Sequence, residues 1–492
     1  MLLRAYAYLL LLAVWFSVEP AAGNVLLRVT PGPLPSAKTM GVSDIVLRWP
    51  VETADLTKLR ALGFRVFLET GSSDLAAAAA AAERADAVGV ILDHTGSDRA
   101  NGELFQSSKA VHPKLLFRFL IPGGKQPQMK GRLVVDRDGI LQVSSPSSQP
   151  WLDSNLALAR LAETFHPDVL PVLYDFHWDL SDSLHNQLGP SIDEYALAIT
   201  EAEANRADVI LDFPEPLQIA MAADQSDAWD LWNQVKRYIA FSSRAPSEGI
   251  KSIANMGIVT CDEQMNYEAV NLLARHNLAF ETIRSQDLSA ERWYTWNAAV
   301  VFCPLQSGEI DLLSAFVKRG AIVVLVNPHG EYPWHSNVPV RQDAHSATFN
   351  VGTGQVVELG EPVTDPELFA RDVRRLIGAE RAALGLWNSL TTLVTGYRQE
   401  PGGETVLNVI NYADVPENVQ VQIKGRFASI QLESPEEGCC RPLQAFTRGG
   451  FTEFTIPRLV IAARVHLKAT DIGGANPERL RGILSNRWTR SW

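Results

Sequence analysis

The sequence predicts an α/β protein: a (β/α)8 TIM-like barrel, then a flavodoxin-like α/β domain, then a small C-terminal β-sandwich. Three observations carry that prediction. Between residues 45 and 245, short apolar segments alternate with helical ones, as successive βαβ units do. A second, shorter alternating series starts near Ile253. From Thr405 the helical period disappears, and short alternating segments are punctuated by Gly, Pro and Asn.

The 492-residue chain opens with Met1-Leu2-Leu3-Arg4, one positive charge ahead of an apolar run from Ala5 to Val18. Glu19-Pro20-Ala21-Ala22-Gly23 follows, with small Ala21 and Gly23 where a signal peptidase reads its substrate. The run is short for a bilayer span. Residues 1–23 are therefore expected to be a signal peptide, and the mature chain, from Asn24, is expected to be secreted or periplasmic. The competing reading is a buried N-terminal helix. No cysteine follows the run, which argues against a lipoprotein anchor, and no later segment has the length of a membrane span.

The barrel is expected over residues 24–250. Its strand candidates are Ile45–Trp49, Phe64–Glu69, Val88–Asp93, Leu115–Phe119, Leu170–Asp175 and Val209–Phe213. Between them lie helical segments at Leu56–Leu62, Asp74–Ala85, Asp153–Phe165, Ile192–Asn205 and Ser226–Phe241. The alanine run Ala76–Ala82 belongs to a helix rather than a linker. Asn24–Thr30 and the hairpin-like Leu133–Val143, turning at Asp138-Gly139, are the candidates for the remaining strands. A doubly wound open sheet is the alternative to a closed ring.

The second unit is expected over residues 251–380. Strands are predicted at Ala254–Cys261, Ala279–Arg284, Ala298–Cys303 and Ala321–Asn327, the last closing the series. Helices are predicted at Glu263–His276, Glu309–Arg319 and Pro366–Ile377. No GxGxxG is present, and Cys303-Pro304 is not on a nucleophile elbow, so the unit offers neither a phosphate cradle nor a nucleophile. The β-sandwich, over residues 400–470, is entered at Pro401-Gly402-Gly403. Its strands are predicted at Val406–Asn411, Val419–Ile423, Ser429–Glu433, Phe451–Ile456 and Val460–Leu467. Residues 471–492, with Arg479, Arg481, Arg487 and Arg490, form a polar tail or short helix.

A net charge of −12 makes nucleic acid and anionic membranes poor partners. Hydrophobic content of 46% supports a real core. Twelve tryptophans favour a carbohydrate-facing surface, because pyranose rings stack on indole, although core packing is the commoner use of tryptophan. The four cysteines, Cys261, Cys303, Cys439 and Cys440, make no zinc spacing. Cys261 and Cys303 each end a predicted strand and are candidate neighbours; Cys439-Cys440 is either a vicinal bond or two thiols in a turn.

The stretch Ala298–Gly330, with its strand, a helix ending Phe316-Val317-Lys318-Arg319-Gly320 and the strand Val323–Asn327, resembles the middle domain of family-42 β-galactosidases. The order of barrel, glutamine-amidotransferase-like domain and β-sandwich resembles the same glycoside hydrolases. In them the middle domain serves trimerisation, so the resemblance implies a homo-oligomer formed through that domain. That clan takes its acid/base from an Asn-Glu pair ending a fourth barrel strand and its nucleophile from a Glu ending a seventh. Neither ends a predicted strand here.

In a parallel barrel the site lies at the C-terminal ends of the strands. Those ends are Trp49, Glu69, Asp93-His94, Arg118, Asp175 and Asp212, with His177, Trp178 and Glu215 just beyond. Several strands thus deliver a carboxylate to one face, as glycosidic cleavage requires: one protonated acid for the leaving oxygen and one ionised nucleophile or base. Asp175, Asp93 and Asp212 are the catalytic candidates. Tyr174, His177 and Trp178 beside Asp175 offer a hydrogen-bonding and stacking wall, and Glu215 is the alternative to Asp212. Asp93 serves equally well as a helix N-cap. Glu69 and Arg118 are candidate ligand contacts or a buried ion pair filling the barrel end, the structural role being favoured for Glu69. Trp151 is a candidate sugar platform ahead of the natural N-caps Asp153 and Ser154. His94, His177 and Asp175 match no metal-ligand spacing, and no cofactor is expected.

These features lead to a secreted glycoside-hydrolase-like enzyme acting on an oligo- or polysaccharide. The alternatives are a non-catalytic glycan-binding or envelope-associated protein on the same fold, and a structural interaction protein. No GxSxG or HExxH points to another hydrolase class.

Overall fold

The computed structural model describes residues 24–93, 106–120, 129–130, 134–137, 140–143, 151–152, 155–165, 172–176, 189–244, 250–262, 266–389, 391–399, 403–413 and 415–469. Seven parallel strands close a barrel: β1 (Val25–Arg28), β2 (Asp44–Arg48), β3 (Arg65–Thr70), β4 (Gly89–Asp93), β5 (Leu116–Leu120), β6 (Val172–Phe176) and β7 (Ala207–Asp212). The ring closes because β1 pairs with both β2 and β7, in the register Leu26↔Asp44 and Leu26↔Ile210. The open-sheet alternative is thereby excluded.

The expected count of eight strands is not met among the described residues. The segment Leu133–Val143 does form a hairpin, but Val134–Arg137 pairs antiparallel with Ile140–Val143, outside the barrel. Two strands paired antiparallel cannot be neighbours in a ring whose strands all run the same way.

Alternation along the strands sorts the barrel into two cores. Leu26, Val46, Phe67, Ile91, Leu120 and Ile210 pack together inside the ring. Their neighbours Leu27, Ile45, Leu47, Val66, Leu68, Val90, Leu92, Val209 and Leu211 face outward and pack with the helices. The helices lie close to their expected positions, at Thr53–Ala61, Leu75–Arg84, Asn155–Phe165, Ile192–Ala204 and Ser226–Ser242. Ile192–Ala204 starts where it does because Ser191 and Glu194 make a reciprocal capping box.

The second unit is a seven-stranded sheet in the order Phe280–Arg284, Met256–Thr260, Ala298–Val301, Ile322–Val326, Gly354–Leu359, Ser346–Val351, Arg341–Gln342. Its first four strands are parallel in the 2-1-3-4 order of a flavodoxin-like sheet. The series does not close at Asn327 as expected. A hairpin, Ser346–Val351 with Gly354–Leu359, extends it. Gly352 turns that hairpin at φ 63°, and a Cβ there would lie 2.7 Å from the Lys318 backbone. Cys261 and Cys303, just past the ends of two adjacent strands, are neighbouring free thiols. Burial, then the hydrogen bond with Cys261, pushes the Cys303 thiol well up.

The third unit is two antiparallel sheets, of six and four strands, facing each other. The expected strands appear at Thr405–Asn411, Glu417–Lys424, Phe427–Ser434, Phe451–Leu459 and Ala462–Ala469. Leu384–Leu386, Thr392–Gln399, Gly438–Pro442 and Ala445–Arg448 join them, and Ile250–Ser252, leaving the barrel, pairs with Thr392–Gln399. Cys439 and Cys440 are bonded to each other on the exposed strand Gly438–Pro442.

Barrel and sandwich are riveted by buried charge. Arg464 bridges Glu203 of the barrel helix Ile192–Ala204 and Glu433 of the sandwich, at 3.0 Å each. Two helix positions up the chain, Glu201 accepts from the Tyr412 hydroxyl at 2.6 Å. No described helix is long and apolar enough to cross a membrane.

Candidate active site at the barrel mouth

The strand ends at the C-terminal mouth bring together charges from four strands. Arg28, ending β1, lies two residues beyond inward-facing Leu26, and so points to the same side of the pleat. Its guanidinium grips Glu69 of β3 with two bonds, Nε to Oε2 at 2.8 Å and Nη2 to Oε1 at 3.1 Å. Its third nitrogen, Nη1, donates to Asp212 Oδ1 on β7 at 2.7 Å. The planar fork suits this task, since a lysine offers one point charge where Arg28 engages two carboxylates. Arg48, exposed at the end of β2, approaches Glu69 at 3.8 Å.

The two carboxylates differ in access. Glu69 is 6% exposed and Asp212 is 29% exposed. Asp212 is further fixed through its backbone: Tyr195, fully buried on its helix, donates to the Asp212 carbonyl at 2.9 Å. Burial, with the Asp212 charge next, pushes the Tyr195 phenol far up, so it remains a donor. Asp93, half-buried, ends β4 at the same face.

Arg118 does not reach the mouth. It pairs with Asp208, which is 0% exposed, and its guanidinium lies 5.7 Å from the Phe67 ring centre. The expected partnership of Glu69 with Arg118 is thus corrected: each is in a buried pair inside the ring, Glu69 with Arg28 and Arg118 with Asp208. Charges inside so narrow a ring must be matched, and the nearest opposite charge in three dimensions was not the nearest in strand order. Trp49 is half-buried against the outer core rather than among the mouth charges. Glu215 is exposed in the first turn of the helix Glu215–Ala222, where a carboxylate favours the helix dipole.

Asp175 and Tyr174 lie on β6, in register with Ile210 and Val209 of β7. Trp151 lies on a two-residue strand paired with Lys130. His94, His177 and Trp178 fall outside the described residues. No cluster of three or more metal-binding side chains occurs among the described residues.

Arg28 is the residue that sequence reasoning missed. Its signal was present in Val25-Leu26-Leu27-Arg28, where period-two alternation places Arg28 on the side of Leu26. Only the ring closure made that side the barrel interior.

No protein-family model and no curated protein matches this chain. Among solved structures, α-L-fucosidase isoenzyme 2 from Paenibacillus thiaminolyticus is similar over 91% of this chain and 99% of its own, with 12% identity and a TM-score of 0.58. The exo-β-1,4-mannosidase Op5Man5 from Opitutaceae bacterium strain TAV5 covers 72% of this chain and 96% of its own, at 11% identity and a TM-score of 0.44. Gan42B, a family-42 β-galactosidase from G. stearothermophilus, covers 88% and 94%, at 11% identity and a TM-score of 0.41. The chain shares the fold of the fucosidase, a TIM-type barrel carrying C-terminal β structure.

Proposed function

We propose that this chain is an exported glycoside hydrolase, which cleaves an oligo- or polysaccharide with carboxylates at the barrel mouth. The observation that carries the reading is the pair of partly accessible strand-end carboxylates, Asp93 and Asp212, at the C-terminal face of a closed barrel of glycoside-hydrolase-like fold. Asp175, one residue from the end of β6, is the third candidate. Residues 1–23 act as the export signal in this reading.

Glycosidic cleavage divides the work between an ionised group and a protonated one. Asp212, held by Arg28 at 2.7 Å and partly exposed, is placed to act as nucleophile or base. The proton for the leaving oxygen then comes from Asp93 or Asp175. Glu69, deeper and held bidentately, positions Arg28 rather than touching substrate.

One observation favours a second reading, a non-catalytic glycan-binding member of the fold: Arg28 neutralises two of the mouth carboxylates at once. Both readings are tested by incubating the mature chain, from Asn24, with a broad polysaccharide panel and measuring new reducing ends. Asp93→Asn, Asp175→Asn and Asp212→Asn are run alongside. Release abolished by Asp212→Asn and by one of the other two establishes the enzyme and assigns the acid. Glycan binding without release from any substrate establishes the second reading.

A further inference from the structure

The strand order of the middle sheet reverses between Met256–Thr260 and Ala298–Val301, the first and third strands of its 2-1-3-4 series. The chain leaves each of these two strands through a cysteine, Cys261 after the first and Cys303 after the third.

Register and face make the two cysteines partners. Val259 pairs with Val301 on adjacent parallel strands, and the ladder runs one step further, the Phe302 N–H donating to the Val259 carbonyl at 2.9 Å. Two positions beyond that pair, Cys261 and Cys303 stand opposite each other. Adjacent strands lie about 4.7–4.9 Å apart. A disulfide takes Cα separations of about 4.4–6.8 Å, so the backbone is already spaced for the bond. Side chains alternate along a strand, so each cysteine emerges on the side of the valine two residues before it. Val259, Val301 and Cys303 share one buried cluster, and the hydrogen bond between the thiols brings Cys261 to the same side.

The two thiols differ in access. Cys261 is exposed, whereas Cys303 is 7% exposed. An oxidant in solution therefore meets Cys261 first.

We propose that Cys261 and Cys303 are a dithiol–disulfide couple, oxidised by exchange with a disulfide-bearing oxidant. Cys261 loses its proton to water and its thiolate attacks one sulfur of the oxidant. The oxidant's S–S bond breaks, a mixed disulfide forms on Cys261, and one thiolate leaves. Cys303 then gives its proton to water and attacks Cys261 Sγ, forming the Cys261–Cys303 bond and releasing the oxidant's second thiolate. The chain loses two electrons and two protons, and the oxidant, reduced to its thiols, takes them up.

The bond closes a loop over residues 262–302, which hold the helix Tyr267–Arg275, the strand Phe280–Arg284 and the helix Ala290–Thr295. Phe280–Arg284 is the edge strand of its sheet, and its Thr282 hydroxyl donates to the Arg160 carbonyl of the barrel helix Asn155–Phe165 at 3.0 Å. Closing that loop clamps the segment by which the middle unit meets the barrel, and restricts the unfolded chain. The export reading supplies the oxidant in the cell, whereas the exchange rests neither on that reading nor on the barrel mouth.

Purified chain tests the couple apart from export. The reduced, folded protein is treated with oxidised glutathione, alkylated, digested and mapped by mass spectrometry. Wild type should give a linked Cys261–Cys303 peptide with no glutathione retained on either cysteine, and dithiothreitol should reverse the link. The oxidised chain should melt roughly 5–15 °C above the reduced one, a rise absent from Cys261→Ser/Cys303→Ser. Cys303→Ser should keep one glutathione on Cys261, because no second thiol resolves the mixed disulfide. Cys261→Ser should leave Cys303 unmodified while the chain is folded. In denaturant the same treatment should make the linked peptide a minor product. The proposal is overturned if folded wild type gives no Cys261–Cys303 link, if either cysteine links to Cys439 or Cys440 instead, or if the link forms as readily in denaturant. It is equally overturned if Cys303 reacts in folded Cys261→Ser, or if oxidation leaves the melting temperature unchanged.

Discussion

Replacing Arg464 with methionine should loosen the barrel from the sandwich, and the structure fixes the size of the effect. Arg464 is 1% exposed and joins Glu203, Glu433 and the Phe241 carbonyl, with its guanidinium 4.3 Å from the Phe241 ring centre. Methionine keeps most of the length and the contact with Phe241 but removes the charge. Glu433 retains Arg244 at 2.7 Å and His466 at 3.1 Å. Glu203 is left buried without a cation, and the Glu433 charge then only repels it. Removing one partner of a buried ion pair costs about 3–5 kcal/mol, and since Glu433 keeps two partners the lower end, about 3 kcal/mol, is expected. In differential scanning calorimetry that corresponds to a fall of roughly 6–12 °C for a barrel-sized unit. Adding Glu203→Gln to Arg464→Met should recover part of the loss, because the stranded charge is gone. A fall of under about 2 °C, or no recovery in the double variant, would refute the argument.

Further outcomes follow from the same structure. Burial would raise the Glu433 carboxyl, but His466, Arg464 and Arg244 outweigh it and hold it down to about 2. Its contribution is therefore complete above the ordinary value of 4.5 and lost as pH falls towards 2, so the melting-temperature gap between wild type and Glu433→Gln should close across that window. His466 runs oppositely: its bond to Glu433, and then Glu404, raise it above 6.5 despite burial, so its contribution is complete below 6.5 and fades as pH climbs through the raised value. The gap between wild type and His466→Gln should shrink accordingly in alkaline melts. Arg28→Met should cost about 3 kcal/mol by stranding Glu69 and should abolish reducing-end release from folded protein. Gly257→Ala places a Cβ 2.2 Å from the Trp296 ring, so it should cost about 1–3 kcal/mol and change tryptophan fluorescence.

The barrel was legible because parallel strands covered on both sides read as continuous apolar runs, as in Gly89–Asp93 and Ala207–Asp212. The segment Leu133–Val143 shows the limit of that reading. Period two identifies a strand, but its partner is set by tertiary geometry. The hairpin Ser346–Val351 and Gly354–Leu359 was missed although Gly352-Thr353-Gly354 marks its turn, because Ser346–Val351, next to the sheet edge, carries half-exposed polar residues. Gly438–Pro442 and Ala445–Arg448 are exposed along their whole length and so carry no alternation to detect. The partnership of Glu203 with Arg464 spans 261 positions, and no local pattern encodes it. The mouth was half legible for the same reason. Strand-end carboxylates can be counted along the chain, whereas the cation that organises them depends on which strand closes the ring.

That closure gives the mouth its asymmetry. Arg28 is a single guanidinium shared by two carboxylates, one nearly sealed and one open to a ligand. The bidentate bond to Glu69 fixes the plane and direction of the fork, and rigidity there is transmitted to Asp212 through one bond of 2.7 Å. Asp212 is held a second time by its carbonyl, through Tyr195, so neither its backbone nor its charge is at liberty to drift. Asp212 is thus fixed at both ends and still 29% exposed, the access that its proposed role at the mouth requires. Glu69, with the same charge and the same cation, is nearly sealed, and its ion-pair partners among the described residues are Arg28 and Arg48.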